Sequence, residues 1–155
     1  MTQEKIDQAL QIIKSLGFPR EQHNDRSALS LLALLNLTPE RDWTGAEDPL
    51  IGITPIMDFA RQYYGKEYAP NTRETFRRQT MHQFVDAGIA RYNPDEPSRP
   101  VNSPKAVYQI APDALALIKV FGTEAWGEAL YKYVSISQSL AIRYAPRNES
   151  NKNFL

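Results

Sequence analysis

Between positions 72 and 87 the chain carries an unusual set of hydrogen-bonding side chains. Thr72, Thr75, Gln79 and His82 fall on one side of a helical wheel, flanked by Arg78 and Gln83. Arginine pairs bidentately with guanine, glutamine with adenine, and threonine packs on a thymine methyl. The spacing therefore suits Thr72, Thr75, Arg78, Gln79 and His82 to reading base edges. A solvated helix face more often carries Glu–Lys pairs, whereas the acids expected to be exposed here are Glu74 and Asp86. Phe76, Met81, Phe84 and Val85 turn the other way, toward a core.

Groups suited to a phosphate backbone surround this set. Arg73 and Arg77 lie nearer the apolar side, where they either snorkel to phosphates or tie the helix to the body. Gln83 and the downstream Arg99, Asn102, Ser103 and Lys105 complete the candidate backbone contacts. The plainer reading of those last four is a stiff proline-rich loop with ordinary surface polar groups.

Other chemistries find little support. There is no glycine-rich phosphate loop and no paired-histidine metal spacing. His23 stands too far from other ligands to argue a metal site, and His82 alone is an ordinary surface residue unless its helix meets a partner. Magnesium nucleases place an acid two residues before a lysine, so that carboxylates hold the ion and the amine polarises water. None of Lys5, Lys14, Lys66, Lys105, Lys119, Lys132 and Lys152 has an acid at that spacing. No residue is assigned a catalytic role, and no cofactor is expected in this chain. With no cysteine, disulfides, zinc ribbons and thiol nucleophiles are excluded.

These residues must be held by a small set of elements. Ile6, Ala9, Leu10, Ile13 and Leu16 predict an amphipathic helix over 2–16, stopped by Gly17. Asn24 or Asp25 opens a second helix to Leu35, apolar almost all round and so buried on several sides. Pro39, Gly45, Pro49 and Gly52 predict a loop over 38–53, pinned by Trp43. Thr54-Pro55 reads as an N-cap and first helical proline for a helix to Tyr64. Asn71 with Glu74 resembles a capping box for a helix over 72–87.

A short strand at 89–92 follows, then a loop holding Pro94, Pro97, Pro100 and Pro104, then a strand at 106–110. Pro112-Asp113 opens a helix to Phe121, and Thr123 one to about Ile142; residues 145–155 are expected to fray. Helix, connection, helix, strand, loop, strand is the order of a winged helix-turn-helix, in which the second helix enters the major groove. The predicted fold is mainly α, with extra helices at both ends and one small hairpin. Modules of this order also serve protein–protein contacts.

The 155 residues suit one domain, with 18 basic and 18 acidic side chains. The net charge is −3 over 1–70, +2 over 71–110 and +1 over 111–155. A supercharged nucleic-acid tail is thus excluded, while a local basic face in the middle is not. No apolar run is long enough for a membrane span, and the polar start is no signal peptide.

Several runs resemble a known family. Leu-Gly-Phe-Pro-Arg-Glu-Gln at 16–22, Gly-Ile-Thr-Pro-Ile-Met-Asp-Phe at 52–59, Tyr-Ala-Pro-Asn-Thr-Arg-Glu-Thr at 68–75 and Arg-Pro-Val-Asn-Ser-Pro-Lys at 99–105 are similar to the N-terminal domain of BsuBI/PstI-type restriction endonucleases. Arg-Arg-Gln-Thr at 77–80, His-Gln-Phe at 82–84, Phe-Gly-Thr at 121–123 and Leu-Ala-x-Arg-Tyr-Ala at 140–145 continue it. The resemblance implies a DNA-binding helix-turn-helix over 1–145, with 146–155 a tail or the start of a linker to an absent catalytic domain. It implies a cytoplasmic bacterial or archaeal enzyme that, at full length, cuts CTGCAG as a magnesium-dependent homodimer. A stand-alone DNA-binding regulator and a protein-interaction winged helix remain the alternatives.

Overall fold

Apolar spacing decides the first helices, as read from a computed structural model that describes residues 2–137. Helix α1 (Thr2–Ser15) buries Ile6, Ala9, Ile12 and Ile13, and Gly17 ends it at a φ of +89°, in the left-handed region that glycine adopts at little cost. Asn24 caps α2 (Asp25–Leu34) by accepting from the Ser27 N–H at 2.9 Å. Every residue of α2 from Ser27 to Leu34 is buried, because α1, α3 and the middle of α4 all pack on it.

The segment after α2 is pinned as expected. Trp43 is buried, and its indole donates to Gln8 Oε1 at 2.8 Å. Lys5 lies over the same ring and donates to the Arg41 carbonyl at 2.7 Å. The end of the segment is not loop, however. Ile51 forms an antiparallel bridge with Tyr108, exchanging backbone hydrogen bonds of 3.0 and 2.8 Å. Gly52 follows at a close approach: a Cβ there would stand 3.0 Å from the Ala106 carbonyl oxygen.

Helix α3 (Ile53–Tyr64) begins one residue before the Thr54-Pro55 signature, with Gly52 as an N-cap that supplies no side-chain bond. The Thr54 hydroxyl instead accepts from Arg73 Nε at 3.0 Å, joining the start of α3 to the start of α4. Helix α4 is composite. A 3-10 turn (Pro70–Thr72) leads into α-helical Arg73–Thr75, π-helical Phe76–Met81 and α-helical His82–Asp86. The expected Asn71–Glu74 capping box is absent, because Glu74 is taken by arginines further along the helix.

Strands β1 (Ala90–Tyr92) and β2 (Tyr108–Ile110) pair antiparallel, in the register Ala90–Ile110, Arg91–Gln109 and Tyr92–Tyr108. Helix α5 (Pro112–Ile118) is shorter than its expected reach to Phe121. Helix α6 covers 126–137; its expected continuation to 142 and the tail at 145–155 lie outside the described residues. Phe121 links the ends of the fold, with its ring 5.3 Å from Trp43 and 5.0 Å from Trp126. The architecture is a mainly helical winged helix-turn-helix: α2, α3 and α4, then the hairpin, with helices added at both ends. No described helix is long and apolar enough to cross a membrane.

Candidate nucleic-acid interface

The middle of α4 departs from a regular helix for a packing reason. An α-helix sets residues i and i+5 about 140° apart around its axis. Phe76 and Met81 are nevertheless both fully buried, and the His82 N–H bonds to the Arg77 carbonyl, the i→i+5 link of a π-turn. The wide turn lets both anchors face the core and pushes residues 77–79 outward. Thr80 is buried beside them, and its hydroxyl accepts from Arg26 Nε of α2 at 2.8 Å.

The outward face that results exposes two of the five expected reading residues, Arg78 and Gln79. Arg78, Gln79 and Gln83 are exposed, while Thr72, Thr75 and His82 are half-buried. The Thr72 hydroxyl donates to the Ala69 carbonyl and closes the turn ahead of the helix. His82 lies edge-on to Tyr92 of the hairpin, with ring centroids 6.4 Å apart.

Arg78 is not free. Its Nε donates to Glu74 Oε2 at 3.1 Å, and Arg77 grips the same carboxylate through Nε at 2.9 Å and Nη2 at 2.8 Å. The Arg77 hydrogen bonds, with the charge and the Arg78 contact behind them, pull the Glu74 carboxyl down to about 2.

The loop after β1 is folded on itself. Asn93 is buried at a φ of +49°, and its Oδ1 accepts from Arg99 Nη1 at 2.8 Å and from the Val107 N–H at 2.9 Å. Arg99 also makes a two-pronged pair with Asp95, at 3.1 and 2.8 Å, and its side chain is only 10% exposed. Of the expected phosphate contacts in this loop, Arg99 is therefore turned inward. Asn102 is exposed at a φ of +66°, and Ser103 Oγ accepts from the Lys105 N–H at 3.1 Å. Lys105 is exposed.

Helix and loop meet across a cleft of about 490 Å³. Arg73, Glu74 and Arg77 of α4 line it together with Asn102 and Ser103 of the loop, and with Tyr92 and Tyr108 of the strands. Four of the expected backbone contacts, Arg73, Arg77, Asn102 and Ser103, thus share one site; Gln83, Arg99 and Lys105 do not line it. Tyr108 is 1% exposed, and its hydroxyl has no hydrogen-bond partner among the described residues. Burial drives that hydroxyl up to about 12, so it remains a donor at any ordinary pH. The two tyrosines escaped the sequence reading, since alternation in a short strand does not say what lies above it. The Glu74 clamp left a legible signal in its i, i+3 and i, i+4 spacing to Arg77 and Arg78.

Among the described residues no three His, Asp or Glu side chains converge on a point.

Comparison with known proteins bears on the fold. The family model for the BsuBI/PstI restriction endonuclease HTH domain matches residues 3–142. The chain is 61% identical over 147 residues to the type II restriction enzyme BsuBI of Bacillus subtilis, covering 95% of this chain and 46% of that protein. It is 38% identical over 145 residues to the type II restriction enzyme AplI of Arthrospira platensis, covering 94% and 44%. The solved structure of SdaI restriction endonuclease superposes with a TM-score of 0.80 at 40% identity, over 84% of this chain and 41% of that one. The chain spans less than half the length of the relatives it matches. With a helix-turn-helix, a basic cleft and a family match that run through the same residues, this chain belongs to the BsuBI/PstI restriction endonuclease HTH-domain family.

Proposed function

We propose that this chain is the double-stranded-DNA recognition domain of a type II restriction endonuclease. The observation that carries the reading is the meeting of two surfaces at one place. The outward face of α4 exposes Arg78, Gln79 and Gln83 beside the cleft in which Arg73 and Arg77 stand with Asn102 and Ser103. Base edges are read from α4, chiefly by Arg78 and Gln79, with Thr75 and His82 alongside. Phosphates, which are the same in every sequence, are held by Arg73, Arg77, Gln83, Asn102, Ser103 and Lys105. Arg99 acts at one remove, by keeping the loop in shape.

The target is a CTGCAG-type site, read in the bacterial or archaeal cytoplasm with residues 1–145 as the binding unit and 146–155 as a tail or linker. A homodimer suits a palindrome, since two copies present the same helix to both half-sites. Cutting, with its magnesium, belongs to residues other than these, because no acid-x-Lys occurs in the sequence.

The test is a binding titration on matched duplexes with and without CTGCAG, across a salt series. Tighter binding to the CTGCAG duplex at every salt concentration supports the reading. Equal affinity for both duplexes removes the recognition role, and no binding to either favours the protein-interaction alternative. Incubation with magnesium is expected to leave the duplex uncut.

A further inference from the structure

We propose that Glu74 is a built-in stand-in for a backbone phosphate: it occupies Arg77 and Arg78 in the free protein, and a phosphodiester entering the cleft displaces it. The inference rests on the DNA reading above and adds a control element to the same site. Arg77 offers Nε and Nη2 to the two separate oxygens of Glu74, at 2.9 and 2.8 Å. That parallel fork is the one a guanidinium presents to two phosphate oxygens. Arg78 Nε adds a third bond at 3.1 Å, so one carboxylate holds both a candidate phosphate contact and a candidate base reader.

The surroundings suit an anion larger than the carboxylate now present. Arg73 stands on the same wall of the cleft, and Asn102 and Ser103 supply side-chain donors from the loop. Tyr108, which also lines the cleft, keeps a hydroxyl that is buried and without a partner among the described residues, an uncommon and costly arrangement in a finished protein interior.

Displacement is physically open to Glu74. Its side chain is 57% exposed, so it swings to solvent by rotation about its own bonds. Exposed ion pairs are weak, so a phosphate backed by the charge of a whole duplex outcompetes the carboxylate. Because the arginines keep Glu74 ionised far into acid, the competition persists at every working pH. The effect falls on affinity, which the clamp lowers for every duplex. Every duplex must dislodge Glu74, but only the cognate one offers base contacts to the Arg78 that is then released.

The test uses the 155-residue chain and its Glu74→Gln variant, titrated with a random-sequence duplex, a CTGCAG duplex and inorganic phosphate. The variant is expected to bind the random duplex about 3- to 10-fold more tightly at low salt, with a salt slope steeper by about one unit. The CTGCAG duplex should gain by a similar factor, and adding Arg77→Ala should cancel the gain. Glu74→Asp keeps the charge with a shorter reach, and its gain should be intermediate. Unchanged or weaker binding of the random duplex by Glu74→Gln overturns the proposal while leaving the DNA reading intact. If the unaltered chain binds no duplex, the DNA reading falls and inorganic phosphate decides. Greater thermal stabilisation of Glu74→Gln than of the unaltered chain then keeps an anion seat in the cleft, and equal stabilisation removes it.

Discussion

Asn93 and Arg99 close the hairpin loop at its neck. One buried amide oxygen accepts from the Arg99 guanidinium at 2.8 Å and, on its other side, from the Val107 N–H at 2.9 Å. Asn93 also occupies the left-handed region, where asparagine is tolerated and alanine is strained. Asn93→Ala is expected to cost about 1–3 kcal/mol for the buried hydrogen bonds alone, measured by chemical denaturation. Arg99→Ala should loosen the same loop and weaken binding to all duplexes, but without changing the salt slope. A slope flattened by a full unit would make Arg99 a direct phosphate contact.

Arg78 and Gln79 should behave in the opposite way. Replacing either with alanine is expected to reduce discrimination between a CTGCAG duplex and a single mismatch by about 1–3 kcal/mol, the worth of one bidentate base contact. Lys105→Ala should lower affinity for every duplex alike and flatten the salt slope by about one unit. Equal losses on cognate and random DNA for all three would take the reading role away from α4.

Thr80 gives a test of how the reading helix is held. Thr80→Val preserves shape but removes the acceptor of Arg26 Nε. We expect about 1–3 kcal/mol of destabilisation for the donor left partly buried. Thr80→Ser, which restores the hydroxyl, should recover most of it. No difference between the two variants would mean that the Arg26 contact contributes nothing.

Acid titration offers an independent view of the clamp. The Glu74 carboxyl lies at about 2, below its ordinary value of 4.5, so the folded state holds its proton more weakly than the unfolded chain does. Its contribution to stability is therefore complete above pH 4.5 and is lost as pH falls through about 2. Carboxyl NMR shifts should show this midpoint, and Arg77→Ala should move it up toward 4.5. A midpoint already near 4.5 in the unaltered chain would show that the fork does not persist in solution.

Local signals carried much of the architecture. Asn24 as a cap, the end of α3 at Gly65 and the proline-rich loop each depend on a few adjacent residues, and each stands where the spacing predicts. The errors fall where distant residues decide. Thr54 has the chemistry of a cap, but its hydroxyl is claimed by Arg73, 19 residues on. Ile51 sits among helix breakers, and its strand character comes wholly from Tyr108. The candidate site divides in the same manner. Side-chain types alone pointed to Arg78 and Gln79, whereas the inward turn of Arg99 depends on Asn93 and Asp95 within a folded loop.

The π-turn of α4 has a consequence for how the chain tolerates a change in length. It holds one residue more than an α-helix needs to carry the backbone from Phe76 to Met81. Deleting one of Arg77, Arg78 or Gln79 leaves the two anchors four positions apart, the spacing at which an ordinary helix stacks them on one face. Such a deletion is expected to leave a folded domain, checked by its melting curve, with one side chain fewer on the outer face. The wide turn thus acts as a spare register, where the outer face can lose a side chain while the buried face stays in place.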